Sequence, residues 1–168
     1  MSHITQGGRT RTGRRAMTPV QLASAIVGAV FLLVAILGFI PGITTNYDQL
    51  EFAGHESDAR LFGLFQVSIL HNLVHGLFGV LGLALARSVP TARGFLVGGG
   101  LIYLLLWLYG LFIDHGSGAN FIPVNHADNW LHLGLGVGMV LLGLLLPPRR
   151  QPAPAGRHTA QSQNRPDR

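Results

Sequence analysis

The sequence predicts an all-α integral membrane protein, folded as an antiparallel bundle of four transmembrane helices. Four apolar stretches support this prediction, at residues 20–40, 61–86, 94–113 and 130–146. Each is long enough, or nearly so, to cross a hydrocarbon core of about 30 Å at about 1.5 Å per residue. None contains an Arg, Asp or Glu, and each such charge would cost about 3 kcal/mol at the centre of a span. Only 11% of the 168 residues are charged, against about 25% in soluble domains.

Local chemistry places the ends of the first two spans. Thr18 is expected to cap the first helix, with Pro19 in the first turn, where a missing N–H is harmless. The Pro-Gly pair at positions 41 and 42 ends that helix. Pro90 and the polar residues before it end the second span in a short connection, so the second and third spans are predicted to be antiparallel neighbours.

The remaining boundaries divide the chain into a membrane domain and two tails. Asp128 or Asn129 is expected to cap the fourth helix, and the Pro-Pro pair at positions 147 and 148 to stop it. The membrane domain covers residues 18–147. Residues 1–17 and 148–168 are basic and poor in large apolar side chains, so both are predicted to be disordered.

The arginines predict the orientation, because Arg near the ends of spans stays preferentially in the cytoplasm. The first and third connections together contain only Arg60. We therefore expect both termini in the cytoplasm of a bacterium, and a long first and a medium third loop outside its cytoplasmic membrane. The same distribution explains the net charge of +5 without a nucleic-acid partner. The other arginines lie before the first span, in the second connection or after the fourth span, and include Arg9, Arg11, Arg14, Arg15, Arg87, Arg93, Arg149, Arg150 and Arg157.

Glycine spacing predicts where helices approach one another. Membrane helices pack closely through small residues, often four positions apart. Gly94 with Gly98, and Gly134 with Gly138, have this spacing. We therefore expect these pairs to lie at helix contacts.

The motif His-Asn-Leu-Val-His at positions 71–75 is the main candidate for a functional site. It places His71 and His75 on one helical face inside the second span, where ionisable residues are functional candidates. A zinc protease would need Glu at the second position, which is Asn72. The alternative is a redox membrane protein that binds haem b or a metal, with His71 or His75 on one helix and His132 on another as ligands.

Depth in the membrane counts against haem if the second helix begins at residue 61. His71 would then lie about 16 Å below Arg60, whereas His132 would lie about 6 Å below Asp128. Axial ligands to one iron need matching depths.

We therefore favour a buried polar network in a non-enzymatic structural or interaction component, with no catalytic residue, metal or cofactor. Its partners would be the lipid bilayer and a second copy or another membrane protein. A proton or small-solute conduit is a third hypothesis, weakened because no interrupted helix and no internal repeat are visible in the sequence. The predicted network comprises Ser68, His71, Asn72, His75, Asp114, Asp128, Asn129 and His132.

Several polar and aromatic strings also occur together in a characteristic order. The strings are TPVQ at 18–21, LGFIPGIT at 37–44, FAGH at 52–55, LFQVS at 64–68, HNLVH at 71–75, WLYG at 107–110 and DNWLHL at 128–133. With them the chain, over residues 18–145, resembles the bacterial membrane family labelled domain of unknown function 4383. The resemblance implies a small four-helix integral membrane protein, chiefly of high-GC Gram-positive bacteria, with no assigned activity, substrate or cofactor.

Overall fold

The computed structural model describes residues 16–147 and consists mainly of four α-helices. This confirms the prediction of a mainly helical chain with four helices. The predicted disordered tails lie almost entirely outside the described residues. The helices are α1 (Pro19–Leu37), α2 (Ile69–Leu85), α3 (Val89–Phe112) and α4 (His126–Leu145). Between α1 and α2 lie the strands β1 (Thr44–Thr45), β2 (Arg60–Leu61) and β3 (Phe65–Gln66), with a 3₁₀ turn over Tyr47–Gln49.

Helices α1 and α2 form a closely packed antiparallel hairpin. Gln21, near the start of α1, donates from Nε2 to the carbonyl of Ala86 at the end of α2, at 3.0 Å. Midway, a Cβ placed on Gly28 would lie 2.8 Å from the carbonyl oxygen of Gly79, so the two backbones touch. At the other end of the hairpin Gly38 faces Asn72.

Helices α3 and α4 form a second antiparallel hairpin. Arg93 donates from Nη2 to the carbonyl of Leu146 at 2.8 Å. A Cβ on Gly100 would lie 2.8 Å from the carbonyl oxygen of Gly136, and Gly110 faces Asn129 beyond it. We call the end of the helices that carries residues 38–68 and 113–125 the loop end.

The two hairpins repeat one pattern, which the sequence alone did not reveal. In each, glycines of the first helix meet a glycine and an asparagine of the second, and an aromatic ring meets a histidine. Equivalent residues of α2 and α4 are always the same number of positions apart in the sequence. The same is true, with a different number, of equivalent residues in the α1 and α3 segments. Equivalent pairs are Ser68 and Asn125, Asn72 and Asn129, His75 and His132, Gly79 and Gly136; and Gly28 and Gly100, Phe31 and Tyr103, Gly38 and Gly110.

The glycine pairs chosen from spacing alone do not form these contacts. A Cβ added at Gly94, Gly98, Gly134 or Gly138 would meet nothing within 4 Å. Their spacing matches that of contact glycines, but they lie on the outward faces of α3 and α4. The prediction of close packing at these four residues was therefore wrong.

The second helix begins at Ile69, and not at residue 61. Residues 60–66 instead form the hairpin of β2 and β3, and β2 also pairs with β1 in an antiparallel three-stranded sheet. The turn places Phe62 and Gly63 at φ values of 55° and 71°, which an α-helix cannot accommodate. Ser68 then caps α2, because its Oγ accepts from the backbone N–H of His71 at 3.1 Å.

The caps also correct the starts of α3 and α4. Ser88 accepts from the N–H of Thr91, so α3 begins at Val89, five residues before the predicted span. The cap of α4 is Asn125, and neither Asp128 nor Asn129. Asn125 Oδ1 accepts from the N–H of Asp128 at 3.0 Å, and Asp128 Oδ2 accepts from the N–H of Asn125 at 2.9 Å. Asp128 is thus the third helical residue of a capping box. Thr18 does cap α1, as predicted.

Three helices, α1, α3 and α4, are long and apolar enough to cross a membrane, and α2 is a shorter apolar helix of 17 residues. Their inward faces share a core of aromatic and aliphatic side chains. Their outward faces expose large apolar side chains such as Leu105 and Leu145, at 66% and 72% of their full surface. Such a continuous apolar exterior is typical of a lipid-facing protein. The core comprises Val20, Phe31, Phe95, Leu96, Tyr103 and Met139.

Candidate functional site

Three histidines from two helices, His71, His75 and His132, lie close to the loop end and line the same two cavities. His71 is in the first turn of α2 and is 4% exposed. Its Nδ1 lies 3.1 Å from the carbonyl oxygen of Pro123. A carbonyl only accepts, so Nδ1 carries the proton, and Nε2 of the neutral ring is left with a lone pair.

The other two histidines contact aromatic rings instead of hydrogen-bond partners. The ring centre of His75 is 5.5 Å from that of Phe31 and 4.5 Å from that of His71. The His132 ring is 5.1 Å from Tyr103, which in turn stacks on Phe31 at 5.5 Å. Nδ1 of His75 and Nδ1 of His132 are both buried without a hydrogen-bond partner. Each ring therefore has an unsatisfied polar atom, which is costly in an apolar interior.

The corrected helix starts place His75, and not His71, at the depth of His132. His75 and His132 each lie seven residues after the cap of their helix, Ser68 or Asn125. They occupy equivalent places in the two hairpins. His71 is equivalent to Asp128, so this position is the one where the two halves of the site differ in chemistry.

Asp128 fixes the loop end of the site. Its carboxyl group is 2% exposed, and Oδ2 accepts from the backbone N–H groups of Gln66 and Asn125, at 3.0 and 2.9 Å. The first of these bonds ties strand β3 to the start of α4. The carboxylate also lies in the first turn of a helix, where the helix dipole favours a negative charge.

The other members of the predicted network have separate places. Asn72 and Asn129 are buried against Gly38 and Gly110, and no hydrogen bond satisfies Asn72 Oδ1, Asn72 Nδ2 or Asn129 Oδ1. Asp114 is exposed and accepts from the N–H of Gly116 at 2.9 Å, so it does not belong to a buried site. Within residues 16–147 the network residues share no hydrogen bond between side chains. The histidines instead pack through their rings.

The larger cavity has a volume of about 290 Å³ and opens between α1 and α4. Its rim residues Ile26, Val30 and Leu131 are exposed. Phe62, in the turn between β2 and β3, and Phe65 of β3 line it at the loop end. The wall is apolar except for the three histidines and Asp128. We call this cavity, with its three histidines, the histidine chamber.

A smaller cavity of about 80 Å³ lies on the other side of the histidines. It is lined by residues of α2, α3 and the third connection, including Tyr103, Tyr109 and Ile122. The Tyr109 hydroxyl donates to the carbonyl of Ala119 at 2.8 Å and holds that connection over the cavity. The three histidines therefore form a wall between two cavities.

The described residues 16–147 contain no group of three or more His, Asp or Glu side chains suited to hold a metal ion. A haem would instead need only two axial nitrogens, and His75 and His132 have the matching depth for that role. A neutral imidazole can also donate or accept a hydrogen bond, so the chamber can bind a neutral polar group.

Sequence reasoning identified the histidines but missed three residues that surround them. Phe31 lies in a span rich in similar apolar residues, and only its position in the first hairpin, equivalent to that of Tyr103 in the second, distinguishes it. Gln66 and Pro123 act through backbone groups, which leave no signal in side-chain chemistry.

Comparison with known proteins identifies a family but no characterised relative. A family model described as domain of unknown function (DUF4383) matches residues 21–145. This confirms the resemblance seen in the sequence. Comparison with curated proteins and with solved structures gives no match. Because the matched region covers most of the 168 residues, the chain belongs to the DUF4383 family.

Proposed function

We propose that this protein is a component of the bacterial cytoplasmic membrane that crosses the bilayer four times and acts by binding, without catalysis. The observation that carries this proposal is the histidine chamber, an apolar cavity with buried imidazoles that opens on the apolar exterior of the helices. A ligand or partner that enters such an opening comes from lipid, because the rim residues Ile26, Val30 and Leu131 are themselves apolar.

Polar side chains beside the chamber have structural positions, which fits a binding role. The chain has no cysteine, and the hydroxyl of Ser68 is used as a helix cap. Asp128 accepts two backbone hydrogen bonds, which leaves it a structural task. A nucleophile beside a general base would be the minimum for covalent catalysis.

The arginine distribution supports the proposed orientation. In the structure the loop end carries the acidic first and third connections, and Arg93 lies at the opposite end of the helices. The positive-inside rule then places both termini in the cytoplasm and the loop end outside.

Reporter fusions test this proposal directly. Alkaline phosphatase, active only outside the cytoplasm, should be active when inserted at Gly118 and inactive when fused after Arg168. Green fluorescent protein, which matures in the cytoplasm, should give the reverse pattern. Phosphatase activity after Arg168, or recovery of the protein from the soluble fraction without detergent, would contradict the four-span arrangement.

Haem b binding is a second candidate, favoured by one observation. His75 and His132 lie at equivalent positions of the two hairpins, each with a buried Nδ1 that lacks a partner. The protein purified from cells supplied with haem precursor would then show a Soret band, lost in His132→Ala and retained in His126→Ala. A colourless preparation, with haem available, would refute this candidate.

The conduit hypothesis makes a separate prediction, proton or solute flux in proteoliposomes that depends on His75. The chamber lies near the loop end, and Leu96 and Met139 are fully buried in the core beyond it. This packing opposes passage through the described part of the chain. Absence of flux in proteoliposomes would remove the hypothesis.

A further inference from the structure

We propose that the histidine chamber binds a lipid-soluble quinone, with the quinone ring against His75 and His132 and the apolar tail leaving between α1 and α4. This inference rests on the proposed membrane function and names its ligand class. It follows from the shape, the hydrogen-bonding groups, the charge and the aromatic lining of the chamber.

The shape suits a compact head with an apolar tail. A volume of about 290 Å³ is at the lower limit of small-molecule sites, which span about 300–1,000 Å³. It can hold a ring and the first part of a chain. Because the chamber opens between the exposed residues Ile26, Val30 and Leu131, the rest of the chain can lie among the lipids.

The histidines supply the polar contacts that a quinone needs. Nδ1 of His75 and Nδ1 of His132 are buried and have no partner within the protein. A neutral imidazole N–H donates to a carbonyl oxygen, and quinone carbonyls are acceptors placed on opposite sides of a ring. Both imidazole rings line the chamber, but each Nδ1 is enclosed, so the rings must turn about their Cβ–Cγ bonds before an N–H meets a quinone carbonyl. Binding would then satisfy polar atoms that the fold itself leaves unsatisfied.

The charge of the chamber argues for a neutral head. The lining contains no arginine, and its one ionisable acid is Asp128. A phosphate or a fatty-acid carboxylate in this chamber would be buried without a cation to pair with it, which is strongly unfavourable. Phospholipids and fatty acids are therefore disfavoured as specific occupants.

Aromatic side chains favour a flat ring over a flexible polar head. Phe31 and Phe65 line the chamber beside the histidines, and Phe31 already stacks on Tyr103 with their ring planes 24° apart. Offset stacking of a further planar ring on such side chains is favourable. A neutral but flexible head, such as glycerol, would gain nothing from this lining.

The experiment measures binding of decylubiquinone, a short-chain quinone, to the purified protein in nanodiscs by isothermal titration calorimetry. The double variant His75→Leu/His132→Leu should weaken binding at least tenfold. Val30→Trp, which blocks the mouth and leaves the histidines in place, should weaken it similarly. The matched control His126→Ala removes a histidine of the same helix outside the chamber lining and should bind like the unchanged protein.

Competition separates a quinone site from a nonspecific tail site. Palmitate and monoolein, an anionic and a neutral single-chain lipid, should not displace decylubiquinone at equal concentration. Nitrogen NMR of histidine-labelled protein should show that the quinone shifts the Nδ1 signals of His75 and His132 but not those of His126.

The proposal would be overturned by unchanged binding in either chamber variant whose folding is intact by circular dichroism. Displacement by palmitate or monoolein as effective as by quinone would also overturn it, and would assign the chamber to lipid tails. Neither result would change the outcome expected for the reporter fusions, which test the four-span arrangement. Failure of the quinone proposal is thus distinguishable from failure of the four-span membrane proposal.

Discussion

Substitution of Gly28 by alanine should disrupt the α1–α2 hairpin. The added Cβ would lie 2.8 Å from both the carbonyl oxygen of Gly79 and the backbone nitrogen of Leu83. Ordinary contact begins near 3.4 Å, so the two backbones must separate by about half an ångström. These atoms belong to helix backbone and cannot rotate away, as the end of a flexible side chain could.

The expected cost is about 1–3 kcal/mol of unfolding free energy, the usual range for an extra methyl group in a tightly packed interior. A gap of 0.5–1 Å forfeits about a quarter to a half of each dispersion contact, and the separation extends along the helix pair. The buried hydrogen bond from Ser24 Oγ to the carbonyl of Gly82, at 2.9 Å, lies one turn from Gly28 and should lengthen as well.

The measurement is the free energy of unfolding in dodecyl maltoside micelles titrated with sodium dodecyl sulfate and followed by far-UV circular dichroism. Gly98→Ala is the matched control, because a Cβ there meets nothing within 4 Å. The unfolding free energy of the Gly98→Ala variant should be unchanged or slightly higher, since alanine is a better helix former than glycine. Equal losses in the two variants would refute the assignment of Gly28 to a backbone contact.

Three further predictions follow from single hydrogen bonds. Ser24→Ala should lose about 0.6–2 kcal/mol in the same titration, and an unchanged value would mean that the bond to Gly82 contributes nothing. Ser68→Ala should lose about 1 kcal/mol by removing the cap of α2, whereas a loss within error would contradict the helix start at Ile69. Asn120→Ala should speed amide hydrogen exchange at Val124, whose N–H donates to Asn120 Oδ1 at 2.9 Å; unaltered exchange would show that this side chain does not order the third connection.

Local signals in the sequence predicted the four helices and the start of α1, but not the end of α1 at Leu37 or the segment between α1 and α2. Thr18 and Pro19 marked the start of α1 correctly, because capping and proline chemistry act within one turn. Residues 61–66 are as apolar as the helix that follows. Their strand structure depends on pairing of Leu61 with Thr44, a contact between distant residues that composition cannot reveal.

The candidate site could be predicted in its residues but not in its geometry. The two histidines of the α2 motif were evident, yet their depth relative to His132 depended on where α2 begins. The predicted start of α2, about two helical turns too early, placed His71 far deeper than His132 and left the equal depths of His75 and His132 unrecognised. The same limit applies to the glycines, since Gly28 and Gly98 are both glycines in apolar helices and only the folded arrangement shows which one faces a neighbour.

The unequal lengths of the helices have a consequence for the surrounding lipid. Helix α2 has 17 residues and spans about 25 Å, whereas α3 has 24 residues and spans about 36 Å. In the proposed setting, lipid tails beside α2 must shorten, or α3 must tilt, because mismatch with the hydrocarbon thickness carries a cost for each ångström. The protein would thus impose a gradient of bilayer thickness around its circumference, and association with its thin side would relieve the deformation.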